Sequence, residues 1–191
     1  VRVSTWDKNE VSVQGTVSIN NGESDDAFEL FTSSTGNTVS IRNEIKNLKS
    51  LPQRYTIVDG AQKITFKDRA ELKKYQEQNG RQFDVMSCGV DMEIVLEIKV
   101  PRNVKTKVES IYGMVEIKDF SGPLDVEATY GGVDAGLTER AIGMITAQTN
   151  YGEIYTNFDS KFGGDKIEKN FHTNVSAKPG SGPEYSFESK Y

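Results

Sequence analysis

Three stretches decide the reading of this chain: Val108–Ile117 (VESIYGMVEI), Val126–Ala135 (VEATYGGVDA) and Ala147–Thr156 (AQTNYGEIYT). Each holds an alternating apolar and polar run, a Tyr-Gly pair and a second short run, which reads as strand, corner, strand. Tyr112, Tyr130 and Tyr151 stand 18 and 21 residues apart, and further steps of 20 reach Phe171 and Tyr191. A recurrence of this length marks a repeat whose single unit cannot bury its own apolar face and must stack on a neighbour, successive turns lying about 4.8 Å apart. Gly113, Gly131 and Gly152 supply the backbone freedom of tight corners. Phe171, followed by His172 rather than glycine, and Tyr191 are the further corner positions. The expected fold is all-β, with a β-solenoid-like stack over residues 101–191.

Outward from the repeat, the alternation continues. Met92, Ile94, Leu96, Ile98 and Val100 share one face of a strand that Pro101 ends. Val1 and Val3, Val11 and Val13, Val17 and Ile19, and then Val39, Ile41 and Ile45, follow the same period of two. Residues 55–58 and 63–67 flank Asp59-Gly60, a hairpin signal. One segment departs from the β pattern. Asp68 and Glu71 form a variant of the capping box, with Leu72 and Tyr75 at helical spacing before Gly80, so a short surface helix is predicted at about 69–78. Residues 1–100 thus read as a strand meander with one inserted helix, continuous with the repeat region in a single structural unit.

The direction of the aromatic residues bears on function. Leu124, Val126, Ala128 and Tyr130 share parity, as do Ile145, Ala147, Thr149 and Tyr151. Strands running straight to their corners would turn these rings inward as a core or corner ladder. The alternative is an exposed stripe in which Tyr112, Tyr130, Tyr151 and Tyr155 bind a sugar or peptide.

The segments Leu96–Pro101 (LEIKVP), Val108–Gly113 (VESIYG), Gly122–Val126 (GPLDV) and Thr149–Ile154 (TNYGEI) resemble the adhesin family, a domain of unknown function found in cell-envelope proteins of Bacteroidetes. The resemblance is good over roughly residues 90–160 and looser before them. It implies a right-handed β-helix and an exported envelope or adhesive role, and it transfers no ligand-binding residue.

Composition narrows the chemistry. The chain has 191 residues, 36% hydrophobic and 27% charged, enough for a sizeable core without cross-links. A net charge of -5 without a basic stripe argues against nucleic acid or anionic lipid as partner. No apolar run of 18 residues exists to span a membrane. The single cysteine, Cys88, excludes an internal disulfide. A chain opening on Val1 with a strand pattern suggests a removed export signal or a truncated chain, and export implies the periplasm, the outer membrane or the cell surface.

Catalysis finds little support. One histidine, His172, and no G-x-S-x-G motif leave no nucleophilic triad. One His with one Cys makes a poor zinc site, and no phosphate loop is present. Glu116, Asp134 and Glu153 alternate with apolar neighbours after each corner, the pattern of solvent-facing strand residues rather than of a glycosidase pair. The loop 157–165 carries oxygen ligands around glycines but lacks the regular spacing of a calcium loop. No cofactor, metal or catalytic residue is expected. The sequence favours a non-catalytic envelope or surface protein, an adhesin or structural interaction module whose partner would be a cell-surface glycan or envelope protein. A carbohydrate-binding module with exposed aromatics comes second and a polysaccharide-active enzyme third. Self-association through an end of the solenoid is a further expectation.

Overall fold

Alternation along Leu124–Tyr130 produces a strand whose Leu124, Val126 and Ala128 are buried while Asp125, Glu127 and Thr129 are not, because successive side chains of a pleated strand leave on opposite faces. The same rule governs most of the molecule, which the computed structural model describes over residues 1–167 and 171–190. In chain order the first strands are β1 (Arg2–Trp6), β2 (Ser12–Ile19), β3 (Phe28–Thr35), β4 (Thr38–Ile45), β5 (Arg54–Asp59) and β6 (Gln62–Phe66), followed by helix α1 (Arg69–Asn79). Then come β7 (Ser87–Gly89), β8 (Met92–Pro101), β9 (Thr106–Tyr112), β10 (Val115–Ile117), β11 (Leu124–Tyr130), β12 (Val133–Ala135), β13 (Met144–Asn150), β14 (Gly163–Ile167), β15 (His172–Ala177) and β16 (Glu184–Ser189). Strands account for 51% of the structure and helix for 11%.

The chain forms two compact units, one of residues 1–14 with 96–191 and one of residues 15–95. In the first, β12, β10, β1 and the Leu96–Pro101 part of β8 pair side by side in that order, and a six-stranded sheet has the order β14-β15-β13-β16-β11-β9. Val3, Val115 and Ile117 of the former pack with Leu124, Val126, Ile145, Tyr185 and Phe187 of the latter, around the buried loop residue Ile142. Each such side chain, fully buried, contributes roughly 1.5–3 kcal/mol. Glycine permits the closest backbone approach: a Cβ on Gly131 would stand 1.9 Å from the Gly113 carbonyl oxygen.

The second unit is built from local pairings. Among the described strands β3 and β4 pair only with each other, and β6, β5 and β7 form an antiparallel sheet. Ile57, Phe66 and Leu72 are its apolar cluster, with Tyr55, Ile64, Tyr75 and Phe83 packed around it. Helix α1 starts where the side chain of Asp68 accepts the Glu71 N–H at 2.8 Å and the Glu71 carboxylate accepts the Lys67 N–H at 2.7 Å. It ends at Gly80, whose φ of +64° is the left-handed cap. Asn20, also left-handed at φ +54°, is buried; its amide donates to the Pro52 carbonyl at 2.9 Å and its oxygen accepts the Asp91 N–H at 3.1 Å. No helix among the described residues is long and apolar enough to cross a membrane.

The expected β-solenoid-like stack, and with it the right-handed β-helix, is not the fold. The sheets are separate, some mixed and some antiparallel. In the six-stranded sheet β16 lies between β11 and β13, while β15 runs antiparallel to both β13 and β14. In the other sheet β1 lies between β10 and β8. A solenoid lays each repeat on the one before it; here β11 lies on β9 and β12 on β10 in that way, but strands distant in sequence, β16 and β1, take the next places. The physical reason is that a 20-residue recurrence sets the length of a strand-corner-strand unit without setting its neighbour, since any strand with a matching apolar face can complete the ladder. The solenoid end expected to mediate self-association goes with that fold.

Candidate functional site

The six-stranded sheet carries its exposed aromatic residues along one margin. Tyr112 and Tyr130 are paired in register across β9 and β11, and their rings stack with centroids 5.3 Å apart and planes 17° apart. Tyr151 and Phe171 follow β13 and precede β15; the Tyr151 N–H donates to the Phe171 carbonyl at 2.8 Å, and the rings stack at 5.4 Å and 24°. Ala128 and Thr149 are both in register with Ser189 of β16. Tyr130 and Tyr151, each two residues further on, therefore leave the sheet at the same level on either side of β16, about 10 Å apart at two inter-strand spacings.

The rings are exposed. Tyr112 is 72% accessible, Tyr130 49%, Tyr151 66%, Phe171 65% and Tyr155 84%. Parity correctly follows the strand, but the expectation of an inward ladder fails because the apolar packing stops one step short of the corners. Ala128 and Thr149 are buried, whereas the residues two places later lie beyond the core. The buried aromatic pair of this sheet is instead Tyr185 and Phe187.

Beside Tyr151 and Phe171 lies an open groove of about 740 Å³. Tyr151, Tyr155, Phe162 and Phe171 supply its aromatic lining, and Glu153, Thr156, His172 and Thr173 its polar groups. Both Tyr151 (φ +64°) and Phe171 (φ +52°) adopt the left-handed conformation, which costs a residue with a Cβ about 1–2 kcal/mol. The backbone thus holds two aromatic residues at the groove in a conformation it would not choose locally. Gly152 completes the corner, for a Cβ there would stand 2.6 Å from the Thr149 hydroxyl oxygen, which is buried and has no hydrogen-bond partner among the described residues.

Polar contacts set the groove walls. Nδ1 of His172 hydrogen-bonds Oδ1 of Asn150 at 2.7 Å, across the β13–β15 pair. The Tyr155 hydroxyl donates to the Glu153 carboxylate, and this bond together with the negative charge holds the phenol above its usual range. Phe162 is positioned by a loop that folds over Glu139. The Glu139 carboxylate accepts the Ser160 hydroxyl, the Ser160 N–H at 2.8 Å and the Asp159 N–H at 3.2 Å. These donors, the Ser160 hydroxyl foremost, hold Glu139 below the usual carboxylate range, and Phe158 and Phe162 pair at 6.3 Å on either side of the anchored residues. The loop considered as a calcium ligand set thus turns its amides onto an anion, and no group of three or more acidic, His or Cys residues among the described residues could hold a metal ion.

The four tyrosines singled out in the sequence divide between two places. Tyr151 and Tyr155 line the groove; Tyr112 and Tyr130 form the separate stacked pair. Among the corner residues, Gly113 has φ +87°, Gly131 and Gly152 sit at close approaches, and Phe171 joins the groove, while Tyr191 lies outside the described residues. Of the three acids, Glu116 and Asp134 face one another in the β10–β12 pair, with Arg2 bonded to Glu116 at 3.2 Å, and only Glu153 reaches the groove. Sequence reasoning missed Phe162, Thr156 and Thr173 as lining, and weighed His172 as a catalyst, a zinc ligand and the neighbour of the Phe171 corner but not as lining. No periodicity marks Phe162 and Thr173, which a loop and an antiparallel strand deliver, and Thr156, at the end of the third repeat, was expected in a strand but lies in irregular chain. The chain matches no protein-family model, and no curated protein or solved structure matches it.

Proposed function

We propose that this chain is a non-catalytic binding protein of the cell envelope or cell surface that holds a glycan in the groove between Tyr151–Thr156 and Phe171–Val175. The observation that carries this reading is the exposed aromatic lining next to hydrogen-bonding groups, in a volume of about 740 Å³. Ligand sites of roughly 300–1,000 Å³ with apolar walls and a few polar groups are the usual small-ligand geometry. Pyranose rings present an apolar C–H face to an aromatic face and hydroxyls at their rim, so Tyr155 and Phe162 suit the first and Glu153, Thr156 and His172 the second. The strained backbone at Tyr151 and Phe171 supports the same reading, because such conformations collect at binding sites. Tyr112 and Tyr130 stack on each other, and the exposed Tyr112 ring could add a second contact. The resemblance to envelope adhesins agrees with an exported binding role.

A glycan-binding screen with the purified chain, followed by titration calorimetry on the strongest ligand, tests the proposal. Tyr155→Ala is expected to weaken binding about tenfold or more, as removing a central aromatic anchor does. Absence of any glycan ligand, or full affinity in Tyr155→Ala, would sink it.

A further inference from the structure

The β3–β4 hairpin stands apart from the rest of its unit. Its sixteen residues include none that is buried, and among the described strands β3 and β4 have only each other as partners. Yet it is amphipathic. The pairs Phe28↔Ile45, Leu30↔Asn43, Thr32↔Ile41 and Ser34↔Val39 share one face, and Glu29↔Glu44, Phe31↔Arg42 and Ser33↔Ser40 the other. Five apolar side chains therefore lie on one face of a ribbon, where Leu30 and Val39 are exposed. A two-stranded ribbon alone is marginal in water; three or more strands with an apolar face are the stable arrangement. Neither edge carries the proline, bulge or inward-pointing charge that commonly blunts one.

The hairpin itself says what fits beside it. Gly36 and Asn37 close a two-residue loop on the pair Thr35↔Thr38, with Gly36 at φ +57°. From that closing pair the ladder bonds alternate, so the N–H and C=O groups of Val39, Ile41, Asn43 and Ile45 point away from β3. An antiparallel copy of β4 centred on Asn43 would use those groups, setting Asn43 against Asn43, Ile41 against Ile45 and Arg42 against Glu44 of the second copy. Outward backbone groups, apolar face and charges then agree in one register: the isoleucines extend the apolar face, and two Arg-Glu pairs form on the polar face. Within one chain Arg42 and Glu44 approach only to 3.6 Å, both well exposed. Arg42 also lies over the Phe31 ring, 5.0 Å from its centroid, so it is held on the polar face from which it would meet Glu44 of a second copy. The β3 edge has no such complement, carrying Glu29 and no basic residue.

We infer that the β4 edge is a self-association surface, through which two copies of this chain pair their hairpins as a four-stranded antiparallel sheet with Asn43 on the two-fold axis. The interface is isologous and closed, so it yields dimers rather than fibres.

Sedimentation equilibrium of the whole chain, over a range of concentrations and at low and moderate salt, tests this. A reversible dimer is expected. Glu44→Arg, which turns both cross-copy pairs into Arg-Arg contacts, is expected to raise the dimer dissociation constant about tenfold, and Arg42→Glu combined with Glu44→Arg to restore it to within about threefold. Asn43→Pro removes an outward N–H that the hairpin does not use and is expected to abolish the dimer, with the hairpin amide resonances retained. A monomer at every concentration overturns the inference, as does a dimer indifferent to both Glu44→Arg and Asn43→Pro.

Discussion

The two units of this protein solve the same problem by different means. In the unit of residues 1–14 and 96–191, most strands pair in parallel, several with partners distant in sequence, and ten buried apolar residues among those described form one continuous cluster. In the unit of residues 15–95, β3 with β4 and β5 with β6 pair as antiparallel hairpins, β7 pairs with β5 from beyond the helix, and three buried apolar residues form the cluster. The second unit relies more on polar pins. Asn20 ties residues 20, 52 and 91 together, and buried Arg54 bonds Glu23 at 2.7 Å, with Lys67 on the same carboxylate at 2.5 Å. The strands of the first unit still leave one face unburied, as Asp125, Glu127 and Thr129 of β11 do, but two sheets contribute to its apolar cluster, whereas hydrogen bonds supplement the smaller cluster of the second.

Mutation can break this comparison. Ile117→Ala, deleting a fully buried side chain of the larger cluster, is expected to cost about 3 kcal/mol in denaturant unfolding. Hydrogen exchange should speed up chiefly in residues 1–14 and 96–191. Equal loss of protection over 15–95 would mean that the units do not unfold separately. Asn20→Ala is expected to cost about 2 kcal/mol, because the Asp91 N–H and the Pro52 carbonyl lose their partner and alanine inherits a left-handed backbone. There the faster exchange should fall within 15–95. A cost near zero would show that the polar pin contributes little.

The smallest effect is expected at Glu139, whose carboxylate holds the loop that delivers Phe162. Its folded-state pKa is depressed, so its contribution is complete above the unfolded carboxylate value and is lost as pH falls through the folded one. The amide shifts of Asp159 and Ser160 should therefore titrate below the usual carboxylate range in nuclear magnetic resonance spectra. Glu139→Gln should remove that transition. A midpoint inside or above the usual range would show that Glu139 is not the loop's anchor.

Local features were legible in the sequence. The capping residues Asp68 and Glu71, the Asp59-Gly60 hairpin and the alternation in β11 all act within a few residues, where steric and hydrogen-bond preferences are decided by near neighbours. The candidate groove was legible only in part. Tyr151 and Tyr155 stand in a visible repeat, but Phe162 arrives on a loop held by Glu139, 23 residues earlier in the chain, and nothing periodic announces such a contact. Parity told which face each tyrosine would follow and could not tell where the core would end.

The sequence by itself therefore determined the faces of strands such as β11, the helix and the glycine corners, since each depends on short-range geometry, whereas it did not mark β3 or β7, and Glu153–Thr156, expected as a strand, is irregular chain. Only the tertiary structure decided that β16 enters between β11 and β13, that β1 enters between β10 and β8, and that the rings at the corners meet solvent. A backbone ladder is chemically the same for every strand, so the choice of neighbour rests on how well whole apolar faces fit together. That fit is a property of the assembled core and not of any one segment.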